Sequence, residues 1–241
     1  MGNAVRNVRV TRKPAKQDYT IIIPAAGQGT RMKSYGVKSL IKIDDEAIID
    51  RQLRQISQVF KNSEIIVVTG FESNRLTKRL PKHIKTVENK FFSQTNVVYS
   101  IGLGLTVAEG SNIIIIYGDL VFNTATLIAP YQQESILTID SYGLMKSDEV
   151  GCVLEKNMVC NMMYGLSNKW GQIAFITGNE LEIFKNELVT HNCARFLGFE
   201  MLNRIINKGG KFKATQPKNM MITDIDTSKD IPAGKLICQS E

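Results

Sequence analysis

The chain has 241 residues, 43% hydrophobic and 22% charged, ordinary globular usage that excludes a disordered, collagen-like or membrane-spanning protein. Its apolar runs, such as Ile113 to Tyr117, fall far short of the ~18 residues a membrane helix needs. Met1 onward lacks an apolar signal core, so a cytoplasmic location with no membrane partner is expected. The net charge of +7 is concentrated at the start, where Arg6, Arg9, Arg12, Lys13 and Lys16 all precede the first acid, Asp18. Residues 1–18 therefore read as a solvated basic arm on a near-neutral body, and nucleic acid is disfavoured as a partner. The four cysteines form no C-x-x-C pair, and reduced thiols are expected.

In chain order, Tyr19 to Ile23 is a β-branched run with almost no alternation, as in a parallel strand covered on both faces. Ile49, Leu53, Ile56 and Phe60 then recur at helical spacing behind Asp44 and Asp45, which predicts an amphipathic crossover helix capped by one of those acids. Glu64 to Thr69 is a second strand. Val98, Ile101, Leu105 and Ala108 line one face of a second helix, with Asn96, Ser100 and Gly104 grouped on another. Ile113 to Tyr117 is a third strand.

The second half changes character. Val150 to Leu154 and Met158 to Met162 flank Glu155-Lys156-Asn157 as a hairpin, and Gln172 to Ile176 is a further short strand. Helices follow around Asn179 to Leu188 and Ala194 to Ile206, the latter ending at Lys208-Gly209-Gly210. Strands alternating with helical segments predict an α/β fold. Its central sheet is Rossmann-like, mixed but mostly parallel, with helices on both faces and a small β extension in the C-terminal half. Residues 19–241 form one domain, with a nucleotide half over 19–123 and an acceptor half over 124–241.

Three motifs carry chemistry. The first strand runs into Pro24, Ala25, Ala26, Gly27, Gln28, Gly29, Thr30 and Arg31, a small-residue loop whose main-chain N–H groups can approach phosphate closely. Arg31 adds a fork of donors and Lys38 a second cation. A dinucleotide fingerprint fails at its third glycine position, which is Met32, and a Walker A loop fails for want of Gly-Lys-Ser/Thr. Tyr117-Gly118-Asp119 places an acid directly after a buried strand. In open parallel sheets ligands bind beyond the carboxyl ends of the strands, where Asp119 and the glycine loop both fall. A carboxylate beside phosphates implies a cation, and Mg²⁺ suits it best. Asp224 and Asp226 lie on one face of a third strand end and offer further hard oxygen donors.

The run from Ile21 to Met32 (IIIPAAGQGTRM), with Lys38, resembles the signature of the nucleotidyltransferase family, which includes sugar-1-phosphate nucleotidylyltransferases and bacterial choline-phosphate cytidylyltransferases. Thr95 to Ile101 is similar to the Thr-Asn-Asn-x-x-Ser-Leu segment of the choline-phosphate branch. Gly118-Asp119 and Asp224-Ile225-Asp226-Thr227 are similar to the family's two metal-binding stretches. The likeness spans roughly residues 19 to 231. The chain departs from it at Val37, where the family has Pro, at Val97 for the second Asn, and at Asp224 for Glu.

The resemblance implies the nucleotide-diphospho-sugar transferase fold and transfer of a nucleoside monophosphate from an NTP, with CTP or UTP/TTP favoured. The acceptor is a sugar phosphate or a phosphocholine-like phosphoalcohol, and pyrophosphate is released. It implies that Ala25, Ala26, Gly27, Gly29, Thr30, Arg31 and Lys38 hold the triphosphate, that Asn96 and Ser100 lie near base and ribose, and that Asp119 and Asp226 hold Mg²⁺. Arg31, Lys38, Asp119 and Asp226 are the expected catalytic set. In-line attack by an ionised phosphate needs no general base, only positioning and neutralisation of charge.

For the acceptor, Trp170 and Glu200, with Tyr142 and Tyr164, are candidates to enclose a quaternary ammonium by cation–π contact. Two other readings remain open at this point: a glycosyltransferase of related fold, and a non-catalytic protein binding nucleotide or nucleic acid. The oligomeric state is open as well, a homo-oligomer included.

Overall fold

The computed structural model describes residues 18–29, 36–131, 134–142 and 147–240. The basic residues from Arg6 to Lys16, together with Thr30 and Arg31, lie outside them. In chain order the elements are β1 (Tyr19–Pro24), β2 (Lys42–Ile43), β3 (Glu46–Ala47), α1 (Ile48–Val59), β4 (Ser63–Thr69), α2 (Ser73–Arg79), β5 (Lys85–Glu88), α3 (Val97–Val107), β6 (Ile113–Ile116) and β7 (Leu120–Phe122). They continue with β8 (Ile136–Asp140), β9 (Val150–Glu155), β10 (Met158–Tyr164), β11 (Lys169–Ile176), α4 (Gly178–Thr190), α5 (Gly198–Asn207), β12 (Phe212–Thr215), β13 (Ile222–Asp224) and α6 (Ile231–Gln239).

Among the described residues, nine strands form one sheet in the order β5-β4-β1-β6-β11-β8-β12-β10-β9. β1 lies between β4 and β6 and is parallel to both. β11 is antiparallel to β6 and β8, and β10 is antiparallel to β12 and β9, so these two run against the rest. Alternate residues of the central strands feed two cores. Ile21, Ile23, Ile65, Val67, Ile114 and Ile116 pack with Ile49, Leu53 and Ile56 of α1. Ile22, Ile66, Val68, Ile113 and Ile115 pack on the other face with Val98 and Ile101 of α3 and with residues of α4 and α5. Burial on both faces is why these strands read as unbroken apolar runs. The α/β sheet with helices on both faces is thus as expected.

Local structure departs from the expectation in three places. The residue preceding α1 is Ala47, with no side-chain cap. Asp44 instead takes a left-handed conformation (φ 52°) in the tight turn between β2 and β3, one that aspartate tolerates better than most residues. The segment from Ala194 is not yet helical, because its carbonyls are engaged elsewhere. Ala194 O accepts from Asn96 N at 2.7 Å, docking this segment on the start of α3, and α5 begins only at Gly198. β11 extends back to Lys169 through an irregularity at Gln172 (φ 55°), where its register with β8 shifts. The β9–β10 hairpin forms as predicted, with Lys156 and Asn157 both at positive φ in a two-residue turn that matches the twist of its strands.

One ion cluster ties α4 to α5. Glu187, fully buried, accepts from Arg204 Nε at 2.6 Å and pairs with Lys208 Nζ at 2.8 Å and His191 Nδ1 at 3.3 Å. Lys208, against the opposing effect of burial and with help from Arg204, holds its carboxyl below the usual range. A depressed folded-state pKa contributes stability above the unfolded value of about 4.3, which is lost as pH falls through the folded value. Glu187→Gln is therefore expected to cost about 1–3 kcal/mol at pH 7, since it uncouples two cations from a buried partner. Thermal melts should show the gap to the unsubstituted protein closing below pH 4.

Candidate active site

The carboxyl ends of β1, β5 and β6 open onto a cavity of about 820 Å³. Pro24 to Gly27, Gly29 and Lys38 line one side, with Asn89, Asn96, Ser100 and Tyr117 to Asp119 next to them. Asp226 joins this side against Lys38, while Asp148, Glu149, Tyr164, Lys169, Trp170, Phe199 and Asp224 lie across it.

The loop after β1 is held by main-chain bonds, Ala25 N to Val68 O at 2.8 Å and Phe71 N to Ala26 O at 3.0 Å. Gly29 is left-handed (φ 58°), and a Cβ there would sit 2.8 Å from Lys38 Cγ. Glycine is thus needed both for the turn and for the lysine stem to cross the loop.

Two aspartates far apart in sequence are brought together by a short ladder. β7 pairs antiparallel with β13, Leu120 opposite Asp224, and Ile225 N donates to Asp119 O at 3.0 Å. Beneath it Val121, Ile225, Ile41, Ile43, Ile48 and Ile237 form a third small core. Asp230 accepts from Asp226 N and Thr227 N, at 3.1 and 2.7 Å, and holds the turn that follows. As a result Asp119 and Asp226 both reach Lys38 Nζ, Asp119 Oδ2 at 3.2 Å and Asp226 Oδ1 in a shorter contact.

The three side chains are only 18%, 23% and 28% exposed for Lys38, Asp119 and Asp226. Burial alone would lower the lysine, but Asp119 and Asp226 outweigh it and hold its ammonium above the ordinary range. Asp119 is pushed up by burial. Lys38 opposes this, while Asp224 and Asp226 add to it. A second lysine repeats the arrangement on the far wall, Lys169 Nζ lying 2.6 Å from Glu149 Oε1 and 3.2 Å from Asp224 Oδ1.

Asn96 caps α3, its Oδ1 accepting from Val97 N at 2.8 Å, and Ser100 is buried one turn on. Gly104, grouped with them by periodicity, faces the sheet instead. A Cβ there would come within 2.7 Å of Ile22, so its role is close helix–strand packing. Trp170 lines the cavity but is only 5% exposed, packed edge-on against Tyr117 at 5.6 Å within the second core. Glu200 does not line it. Its carboxylate accepts from Leu197 N at 2.7 Å and closes the first turn of α5. Tyr142 is 90% exposed and also lies away from the cavity.

Sequence reasoning overlooked several residues here. Asn89, one residue past β5, donates from Nδ2 to Thr95 Oγ1 at 3.0 Å and Ser100 Oγ at 3.1 Å, ordering the corner before α3. Lys169, Glu149 and Phe199 belong to the far wall. Tyr164 and Phe199 meet edge-to-face at 5.2 Å. An Asn after a four-residue edge strand carries no local signal, and the far wall is assembled from separate strands and a helix start.

Hard carboxylate oxygens converging on one point suit Mg²⁺, which binds through one or two protein carboxylates plus phosphates and waters. Among the described residues no group of three or more His, Cys, Asp and Glu side chains could hold a metal without such help. No helix among them is long and apolar enough to cross a membrane.

Residues 21–136 match the MobA-like NTP transferase domain. The bifunctional protein GlmU of Alkaliphilus metalliredigens is 31% identical over 116 residues, covering 47% of this chain and 25% of that protein. GlmU of Lactococcus lactis subsp. cremoris strain SK11 is 28% identical over 145 residues, 55% of this chain and 31% of that one. The chain thus spans about a quarter to a third of the length of these relatives. Among solved structures, the CTP:phosphocholine cytidylyltransferase of Streptococcus pneumoniae superposes with a TM-score of 0.74 at 18% identity, covering 91% of this chain and 99% of that one. A putative glucose-1-phosphate thymidylyltransferase of Bacillus anthracis gives 0.75 at 12% identity, over 92% and 96%. At such identities the likeness is one of fold. Residues 21–136 thus resemble a nucleotidyltransferase domain, and the fold of the chain is the one that these solved structures share.

Proposed function

We propose that the protein transfers a nucleoside monophosphate from an NTP to a phosphorylated small-molecule acceptor and releases pyrophosphate. The observation that carries this reading is the meeting of Asp119, Asp226 and Lys38 at the edge of the glycine loop, facing a second wall across one cavity. An acceptor phosphate oxygen forms the new bond to the α-phosphorus as the bond to the β-phosphate oxygen breaks, and pyrophosphate carries away the electron pair. Because the nucleophile is already ionised, the protein's task is alignment and charge neutralisation.

In this reading residues 19–123 hold the nucleotide and 124–241 the acceptor. The main chain of Ala25 to Gly29 cradles phosphates, and Asn96 and Ser100 border the base and ribose. Lys38 moves with the triphosphate's charge, and Asp119 and Asp226 hold Mg²⁺. The metal's contribution is to neutralise phosphate oxygens as charge builds on them. CTP, UTP and TTP are the favoured donors.

For the acceptor, Tyr164 and Phe199 present aromatic surface beside Asp148 and Glu149. That combination suits a phosphoalcohol bearing an ammonium group, attracted by ring faces and carboxylates together. A sugar phosphate is the second reading, which rests on the polar lining of the same wall.

The test is pyrophosphate release from four NTPs against sugar 1-phosphates and phosphocholine-like acceptors, with Mg²⁺ present or chelated. One NTP–acceptor pair should turn over, and chelation should stop it. Turnover of nucleotide sugars with no pyrophosphate from any NTP would instead identify a glycosyltransferase.

A further inference from the structure

Gln52 and Gln55 lie on the buried face of α1, at 1% and 0% exposure, among the isoleucines and leucine that make it amphipathic. A buried amide on an apolar helix face is costly unless its donors are used, so its partners reveal what keeps it there. Gln52 Nε2 donates to Tyr117 O at 2.9 Å and to Leu120 O at 2.8 Å. These carbonyls stand one residue before Gly118 and one after Asp119. Gln55, one helical turn on, donates from Nε2 to Phe122 O at 2.7 Å, two residues beyond that bracket.

Between Tyr117 and Leu120 the chain leaves β6 and has not yet entered β7, so sheet pairing alone does not fix it. Outside contacts hold it, Gly118 N donating to Pro24 O at 3.2 Å and Ile225 N to Asp119 O at 3.0 Å. Gln52 is the side chain that clamps both ends of the bend from below.

We propose that Gln52 is a positioning residue for Asp119, setting the angle at which its carboxylate meets the cation and triphosphate, whereas Gln55 serves stability alone. This rests on the functional reading above, in which Asp119 holds the metal. A carboxylate displaced by a fraction of an ångström loses metal and transition-state contacts steeply. Gln52→Met keeps the length and apolar packing of the side chain but removes the amide donor from both bracketing carbonyls, leaving Tyr117 O with only the main-chain N–H of Leu120 at 3.3 Å. Gln55→Met makes the same chemical change beyond the bracket.

The experiment compares the whole chain with Q52M and Q55M in thermal melts, in Mn²⁺ binding followed by electron paramagnetic resonance with CTP present, and in the Mg²⁺ concentration giving half-maximal pyrophosphate release. Both variants should lose comparable thermal stability. Q52M should weaken Mn²⁺ binding about tenfold and raise the Mg²⁺ requirement in step, while Q55M leaves both within about twofold. An unsubstituted protein that binds Mn²⁺ alongside Q52M and Q55M variants that behave alike would overturn the positioning role and leave the functional reading standing. An unsubstituted protein that binds no Mn²⁺ would remove both. Should Q52M fail to fold, Q52H, which keeps a ring N–H donor, replaces it, with partial recovery of Mn²⁺ affinity relative to Q52A expected. Equal affinity in those two would also overturn the role.

Discussion

Asp119→Asn should reduce pyrophosphate release at least a hundredfold while leaving the fold intact. Asparagine keeps the shape of the side chain and can still accept from Lys38, but it removes the charge that a divalent cation would require at this point. Losing one preorganised charge contact in a dry site typically costs about 3 kcal/mol of transition-state stabilisation, which is the expected factor in rate. The carboxylate is buried and stands beside Asp224 and Asp226, so its charge is an expense to the folded state rather than a support. Melting temperature should therefore hold within a few degrees, and the loss should appear in kcat rather than in the amount of folded protein. A variant with near-normal turnover would remove Asp119 from the reaction.

Lys38→Met should cause a loss of similar size for a different reason. The lysine stem crosses Gly29, and its ammonium neutralises two carboxylates that converge from β6 and from the turn after β13. Methionine preserves the stem packing and deletes only the charge. Steady-state kinetics should show kcat and kcat/KM falling together by about a hundredfold, the pattern of a contact made chiefly in the transition state. A rise in KM alone, with kcat retained, would reduce Lys38 to a binding contact. With their ammonium removed, Asp119 and Asp226 repel each other, so the variant should also melt lower without divalent cation and recover part of that loss when Mn²⁺ is added.

The central sheet was legible because its physics is local. Ile21 to Ile23, Ile65 to Val68 and Ile113 to Ile116 are apolar on both faces, and the 3.6-residue spacing of Ile49, Leu53 and Ile56 marks the helix that covers one of them. Strands β5, β8 and β12 were missed, being short and marked by no turn signal that stands out. β8 and β12 are held by pairing with each other across a long stretch of sequence, and β5 by a parallel partner, β4, on the other side of α2. The caps assigned to Asp44 and Asp45 failed for a related reason: a hairpin of two-residue strands took those positions as its turn.

For the site, residue type and position after a strand pointed to the glycine loop, Lys38 and Asp119, and the family resemblance added Asp226, because a small-residue turn and a carboxylate at a strand end are written in consecutive residues. Their meeting was implied only by the family resemblance and by no local pattern. It depends on β7 pairing with β13 and on the small apolar core beneath that ladder, interactions between segments about a hundred residues apart. The same holds for the wall opposite, where Lys169, Glu149 and Asp224 neutralise one another across three elements and Glu200 turns away to close its own helix. A chain's local pattern dictates which backbone geometry each stretch prefers and which chemistry it carries. Which distant side chains share a cavity is settled only when loop closure and burial bring the strands into register, since the energy of those contacts does not exist before they form.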